Sequence, residues 1–292
     1  MEYKEFLMTI KKSFHDRLGK EYGVILRKVL KNNGVNYDGL CILQGLEGVG
    51  AVICLNSYYE QFKEGIPLGE IIELINTAFL DSIKEPELNP RILDDFDLIK
   101  DKIVYQLVNT KANEELLEAV PSIPFLDLSI IFNLFLTSNE FGHMSAMISK
   151  ENMEAWKIDV DVLYQHASVN TPGLLPAIIS DLSKGLKTYM NGQYKAPFFV
   201  LTNNMGVNGS STLLYDGLLR KFADSIGQDF FILPICIHEI ILLPLSNKKY
   251  LQQLHKEQTR SVNTYLPLAE WLSSQVYFYS KAEERMILAD ML

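Results

Sequence analysis

The sequence predicts an α+β fold in which packed helices accompany mixed or antiparallel sheets, arranged as two halves. Helical and strand-like segments follow one another without the strict strand–helix–strand alternation that is typical of a parallel sheet. Residues 125–136 also alternate apolar and mixed positions with the period of two expected for a strand, and 143–149 can return as its hairpin partner. We expect the boundary between the halves, 1–155 and 156–292, just before a pair of helices.

The first half is expected to place helices on either side of short strands. Two apolar stripes predict a helix over 3–33 with an interruption at its glycines. Strands over 40–44 and 49–55 follow, joined by a glycine-rich turn. A helix that opens at Pro67 has the clearest helical period. Its aligned apolar positions are Leu68, Ile71, Ile72, Ile75 and Phe79. The last elements of this half are a strand over 102–108, a short helix over 114–119 and the hairpin.

The second half is expected to begin with two helices. Asp159 can cap a helix over 160–169, and Pro172 separates it from a predicted helix over 176–190. The other elements predicted here are strands over 198–202, 230–233, 238–243 and 275–279 and helices over 213–226 and 248–261.

Composition excludes several classes of protein. Of 292 residues, 48% are hydrophobic and 22% are charged, which is typical of a globular protein with a substantial core. The net charge of −9 disfavours binding to nucleic acid or to an anionic membrane, because contacts to phosphate rely on clustered Lys and Arg. The longest apolar run, 230–245, contains two prolines and is shorter than the ~20 residues that span a bilayer.

The three cysteines include no C-x-x-C pair, which predicts reduced thiols, and the first residues do not resemble a signal peptide. We therefore expect a cytoplasmic protein. Since no cofactor motif and no paired His or Cys spacing is present, we expect neither a cofactor nor a metal site. The partner is expected to be an unknown small molecule or protein, and the oligomeric state is left open.

The pair His238–Glu239 lies at the centre of the most apolar stretch, FFILPICIHEIILLPL (230–245). A carboxylate in a segment expected to be buried is unfavourable unless it is paired, so Glu239 is a candidate site residue. The zinc-protease motif H-E-x-x-H is not formed, because Leu242 stands where the second histidine is required. Two interpretations stay open: a core histidine with a carboxylate at the sheet edge, or site residues at that edge.

Asp127 is the second candidate, since it interrupts the apolar strand predicted over 125–136. Ser129 and Asn133 share its predicted face. That face either meets water, as in many antiparallel sheets, or lines a cleft in which Asp127 acts as a base or as a ligand.

The polar loop 203–212 follows a predicted strand and precedes a predicted helix. Glycine permits close approach of a ligand, and N–H groups at the start of a helix favour anions. The loop fits neither G-x-x-x-x-G-K-[ST] nor G-x-G-x-x-G, so a nucleotide fingerprint is absent from it. Either its hydroxyl side chains cap the helix, or it binds a phosphate or carboxylate. The ligand-binding candidates are Asn203, Gly206, Gly209, Ser210 and Ser211.

Four stretches together resemble a known bacterial family: NNGVNYDGL (32–40), VPSIPFLDLSIIF (120–132), LTNNMGVNGSSTLLYDGLL (201–219) and ILPICIHEIILLP (232–244). The family is domain of unknown function 5688, and the similarity extends over most of the chain. In that family Pro-Ser-Ser-Ile usually precedes His-Glu, whereas this chain has Ile235 and Cys236 in place of the serines. The resemblance implies a soluble cytoplasmic bacterial protein and implies no activity.

Two functional hypotheses follow. The first is a non-enzymatic binding or regulatory module, in which Asp127 and Glu239 are held by separate structural hydrogen bonds. The alternative is a hydrolase-like enzyme in which His238 or Glu239 works with Asp127 in acid–base or metal-assisted chemistry. The enzyme requires these side chains to converge on one concave pocket.

Overall fold

The strands form three antiparallel sheets with packed helices, which confirms the α+β class predicted from the sequence. The structure is a computed structural model. It describes residues 1–44, 50–84, 95–139, 142–182, 199–261, 264 and 266–289.

Two compact units make up the chain. The first unit contains 1–100 and 135–146, and the second contains 101–134 and 147–292. The halves 1–155 and 156–292 were predicted as two domains, and that division stays a prediction.

The first unit packs helices against a three-stranded sheet of order β1-β2-β3. Its elements are α1 (Tyr3–Leu18), β1 (Tyr22–Leu30), β2 (Asn36–Gln44), β3 (Gly50–Cys54), α2 (Asn56–Lys63), α3 (Leu68–Lys84) and α4 (Phe96–Ile99). The core joins the apolar faces of α1 and α3 to the sheet, through residues such as Phe6, Phe14, Leu40, Ile71 and Ile75. The helical period of α3 predicted this face.

The helix predicted over 3–33 is wrong beyond Leu18, because 22–30 forms β1. Tyr22 to Leu30 pair residue by residue with β2, from Tyr22 opposite Gln44 to Leu30 opposite Asn36. The segment carries β-branched residues that suit a strand. Its pairing with β2, which is distant in sequence, favours the strand over the helix that the spacing of apolar residues predicted.

A four-stranded sheet follows, in which β6 pairs with β4, β5 and β7. The elements are β4 (Ile103–Asn109), α5 (Glu114–Ala119), β5 (Ser122–Phe125), β6 (Leu128–Asn139), β7 (Gly142–Met147), α6 (Lys150–Trp156) and α7 (Val160–Leu174). Helix α7 covers the outer edge of β4. Tyr105 N–H donates to Thr171 Oγ1 at 3.2 Å, and Asn170 Nδ2 donates to Ile103 O at 3.1 Å. These side chains pair backbone groups that an edge strand would otherwise leave open.

The six-stranded sheet lies in the second unit and has the strand order β13-β12-β10-β11-β9-β8. Its elements are β8 (Ala177–Asp181), β9 (Phe199–Asn203), α8 (Leu218–Ile226), β10 (Phe230–Leu233), β11 (Ile240–Pro244), α9 (Leu251–Ser261), β12 (Tyr277–Ser280) and β13 (Arg285–Leu288). Short 3₁₀ turns precede α8 and α9, over Gly209–Leu214 and Leu245–Tyr250.

Two predictions for this region are corrected. The helix predicted over 176–190 is wrong at 177–181, which form β8, and 183–190 lie outside the described residues. Pro172 lies inside α7 rather than ending it. The strand predicted from His238 begins two residues later, at Ile240, so His238 and Glu239 lie in the connection between β10 and β11.

Candidate functional site

Asp127 lies in a tight turn and not within a strand as predicted. Phe125 at the end of β5 pairs with Leu128 at the start of β6, so Leu126 and Asp127 form a two-residue hairpin turn. Leu126 adopts the left-handed conformation with φ of 55°. Two-residue hairpin turns accept residues with φ > 0. The alternating pattern of the sequence predicted a continuous strand here and did not reveal the turn.

The carboxylate of Asp127 accepts two short hydrogen bonds from hydroxyl groups. Ser273 Oγ donates to Oδ2 and Tyr277 OH donates to Oδ1, each at 2.6 Å. Both donors are fully buried. Burial raises the pKa of the Tyr277 phenol and the nearby carboxylate raises it further, so the phenol keeps the proton that it donates.

The backbone of Asp127 is engaged as well, because Thr110 N–H donates to its carbonyl at 3.2 Å. Asp127 therefore fastens the β5–β6 turn to the segment that leads into β12. Its side-chain partners stand 146 and 150 positions away in the sequence, so no local pattern could reveal them. Both carboxylate oxygens already accept a hydroxyl, which is what a structural acceptor requires.

Glu239 is exposed, so the expectation of a buried carboxylate is wrong. Three residues earlier, the Cys236 thiol is buried and lies 3.8 Å from Glu239 O. Desolvation raises the pKa of this thiol to about 11, which keeps it protonated at neutral pH and poorly nucleophilic.

His238 is held in place from two sides. Thr202 Oγ1 donates to the His238 carbonyl at 2.7 Å, and the backbone N–H of Asn208 donates to His238 Nδ1 at 3.2 Å. Since Nδ1 accepts a proton donor, the neutral imidazole carries its proton on Nε2. A general base acting through Nε2 needs the opposite tautomer, with Nδ1–H donating to an acceptor.

Gly209 permits this arrangement because nothing larger fits there. A Cβ at this position would lie 2.2 Å from His238 O and 2.3 Å from Thr202 Oγ1. The next residue, Ser210, donates its backbone N–H to Ile237 O at 3.0 Å. The loop therefore lies directly on the β10–β11 connection, and glycine is required for the close approach.

Four polar side chains meet at this place, and we refer to Gln106, Asn133, Asn208 and His238 as the amide cluster. Gln106 Oε1 accepts from Asn133 Nδ2 at 3.1 Å and from Asn208 Nδ2 at 3.4 Å. Asn133 is buried and the other three are half-buried. Within the described residues, no hydrogen bond involves Gln106 Nε2 or His238 Nε2. The N–H donors on these two nitrogens therefore have no partner in this part of the chain.

In the loop predicted to bind a ligand, backbone N–H groups donate hydrogen bonds to other groups of the protein. Asn203 organises it: Oδ1 accepts from the N–H groups of Met205 at 3.0 Å and Val207 at 3.4 Å, and Nδ2 donates to Val207 O at 2.7 Å. Gly206 N–H donates to Asn203 O at 3.1 Å. These contacts form an Asx-type turn, and anion binding by the loop stays a prediction.

Ser210 and Ser211 are buried in the 3₁₀ turn. Their hydroxyls find no hydrogen-bond acceptor or donor among the described residues. Thr212 Oγ1 donates to Gly209 O at 2.6 Å, which is a bond back to the preceding turn and not a cap. The prediction that these hydroxyls cap the helix is wrong, because Asn208 precedes the 3₁₀ turn and Gly217 precedes α8, and neither position has a side-chain cap.

The predicted catalytic residues occupy separate networks. Among the residues that the structure describes, no hydrogen bond or salt bridge joins Asp127 to His238 or to Glu239. In the same part of the chain, no group of three His, Cys, Asp or Glu side chains could hold a metal ion. The sequence interpretation missed Gln106, although it is the single amide in the apolar run IVYQLV.

Comparison with known proteins identifies a family and nothing finer. A family model described as a family of unknown function, DUF5688, matches residues 3–281. No curated protein and no solved structure matches the chain. In the described ranges, no helix is both long and apolar enough to cross a membrane.

Proposed function

The chain belongs to DUF5688, a family of unknown function, and we propose that it is a non-enzymatic module that binds an uncharged polar ligand at the amide cluster. The hydrogen bond from Asn208 N–H to His238 Nδ1 carries this proposal. It makes the exposed nitrogen of a neutral His238 a donor, which suits recognition of an oxygen and does not suit proton abstraction.

The chemistry of the cluster favours an amide as the recognised group. Gln106 Nε2 and His238 Nε2 offer donors, while the carbonyl oxygens of Asn133 and Asn208 offer acceptors. None of these side chains is charged when His238 is neutral. A peptide group or a carboxamide presents both an acceptor oxygen and an N–H donor, and therefore complements the cluster without burying an unpaired charge.

The hydrolase alternative receives less support. Asp127 already accepts two hydroxyl donors, and His238 is oriented by a backbone N–H rather than by a carboxylate. Acid–base work requires hydrogen-bond reach between the partners. The contacts around Asp127 fit the prediction that it is held by structural hydrogen bonds. The same prediction for Glu239 is not met, because its side chain is exposed and makes no hydrogen bond among the described residues.

An NMR titration tests the proposal. The probe is N-acetylglycinamide, an uncharged molecule with two amide groups, added at millimolar concentration to the isotope-labelled full chain. We expect shifts at the Asn208 backbone N–H and the Gln106 side-chain NH₂, and we expect His238→Ala to weaken binding several-fold through loss of one donor. His15→Ala is the matched control, since His15 is an exposed histidine of the first unit.

The proposal fails if the probe shifts neither group, or if His238→Ala and His15→Ala bind it equally. Hydrolysis of a panel of chromogenic esters that depends on both Asp127 and His238 would instead establish the enzyme.

A further inference from the structure

A groove lies beside α9, and none of its lining residues belongs to the amide cluster. The groove has a volume of about 470 Å³ and lies between α9, its preceding 3₁₀ turn, β10, and the residues just before β12 and just after β13. This volume falls within the ~300–1,000 Å³ range of small-molecule sites. Its lining includes Phe231, Lys248, Leu251, Gln252, His255 and Val276.

The floor of the groove is apolar. Phe231 and Val276 are buried members of a hydrophobic cluster on this face of the six-stranded sheet, and Leu251 packs against that cluster. The rim is polar: Gln252 is exposed, and His255 Nε2 is anchored to Ser274 O at 2.9 Å. An apolar floor with a few polar groups at one side is suited to an amphipathic ligand.

The charge at the rim is positive, in contrast to the chain as a whole. Lys248 Nζ lies 5.9 Å from the centre of the Phe231 ring. No carboxylate pairs with it among the described residues. The segment 245–261 carries four Lys or Arg and a single Glu, while the whole chain has a net charge of −9. An unpaired ammonium at the mouth of an apolar groove favours an anionic group on the ligand.

We propose that this groove binds a small amphipathic organic anion, of the class of a medium-chain carboxylate. The apolar chain would lie on Phe231, Leu251 and Val276, and the carboxylate would meet the Lys248 ammonium. This site is independent of the amide cluster, so either proposal can fail without the other.

Isothermal titration calorimetry of the full chain with octanoate tests the site, and 1-octanol serves as a probe with the same tail and no charge. We expect octanoate to bind more tightly than octanol, and we expect added salt to weaken only octanoate. Lys248→Gln should lower the affinity for octanoate roughly tenfold, through loss of a charge-assisted contact. Gln252→Trp should abolish binding of both probes by filling the groove.

Lys249→Gln is the matched control. Lys249 is also exposed and also lies near an aromatic ring, with its Nζ 5.0 Å from the centre of Tyr250, but it does not line the groove. Its replacement should leave octanoate affinity within about twofold. The proposal is overturned if octanoate fails to bind at millimolar concentration, if octanol binds equally well, or if the two lysine variants behave alike.

Discussion

Two acidic side chains, Asp38 in the first unit and Asp127 in the second, show different ways to hold a carboxylate. Asp38 is buried and accepts from Tyr3 OH and from Lys28 Nζ, each at 2.9 Å. Among the described residues, the Asp127 carboxylate accepts only from the hydroxyls of Ser273 and Tyr277. Both carboxylates use a tyrosine, but in this part of the chain only that of Asp38 is paired with a cation. Strong hydrogen bonds can therefore replace an ion pair, and a carboxylate in an apolar stretch is not by itself evidence of a catalytic site.

The comparison implies that alkaline pH should unfold both units. Burial is the first cause that raises the pKa values of Tyr3, Tyr105, Tyr215 and Tyr277, and for Tyr3 and Tyr277 the carboxylates add to it. Since these phenols ionise more easily in the unfolded chain, near pH ~10, stability is complete below that pH and is lost as pH rises above it. Circular dichroism should lose the folded signal over the same pH range as the last part of the rise in tyrosinate absorbance, which reports the buried phenols. Ionisation of all fourteen tyrosines without loss of structure would contradict the burial of these four.

Asp127→Ala should give the largest effect of a single substitution. It leaves two fully buried hydroxyls without their acceptor, and we expect a loss of about 4 kcal/mol in the free energy of unfolding. Urea denaturation measures it. Adding Tyr277→Phe removes one orphaned hydroxyl, so the double variant should be less destabilised than the sum of the two single variants. A loss below about 1 kcal/mol for Asp127→Ala would show that the hydroxyls find water instead.

Gly209→Ala tests whether the stability of the second unit also depends on the close contact between the loop and His238. Because the added Cβ would overlap His238 O and Thr202 Oγ1, we expect a loss of about 3 kcal/mol in the free energy of unfolding. Gly173→Ala is the control: nothing lies within 4 Å of its Cβ, and it is in a helix, so stability should rise slightly. Equal thermal midpoints for the two variants would rule out the tight contact.

Loss of Lys28, the cation paired with Asp38, is expected to have the smallest effect on the free energy of unfolding. The Lys28 side chain is 65% exposed, so water and salt screen its pairing with Asp38. Lys28→Gln should therefore change the free energy of unfolding by less than about 1 kcal/mol. If its loss matched that of Asp127→Ala, the contrast between the two carboxylates would disappear.

The sequence predicted the elements whose signals are local. The period of α3 identified its buried face, and Asp159 caps α7 as expected, because its Oδ1 accepts from Val162 N–H at 3.0 Å. Segment 22–30 was assigned to the wrong class, since its pairing with β2 overrides the helical spacing of its apolar residues.

The candidate site was harder to predict because its contacts are distant in sequence. Asn208 meets Gln106 across 102 positions and His238 across 30. The sequence drew attention to His238 and to the polar loop 203–212, but it could not reveal which ring nitrogen faces that loop. Asp127 was chosen for its polarity in an apolar run, whereas its partners are hydroxyls near the other end of the chain.

The proton position on His238 tests the central claim most directly. Long-range ¹H–¹⁵N correlation spectra of the full chain, with His238→Gln used for assignment, distinguish the two neutral tautomers. The backbone N–H of Asn208 at Nδ1 predicts a proton on Nε2, the donor that the proposed binding function requires. A neutral imidazole with its proton on Nδ1 would contradict the account and would make Nε2 available as a base.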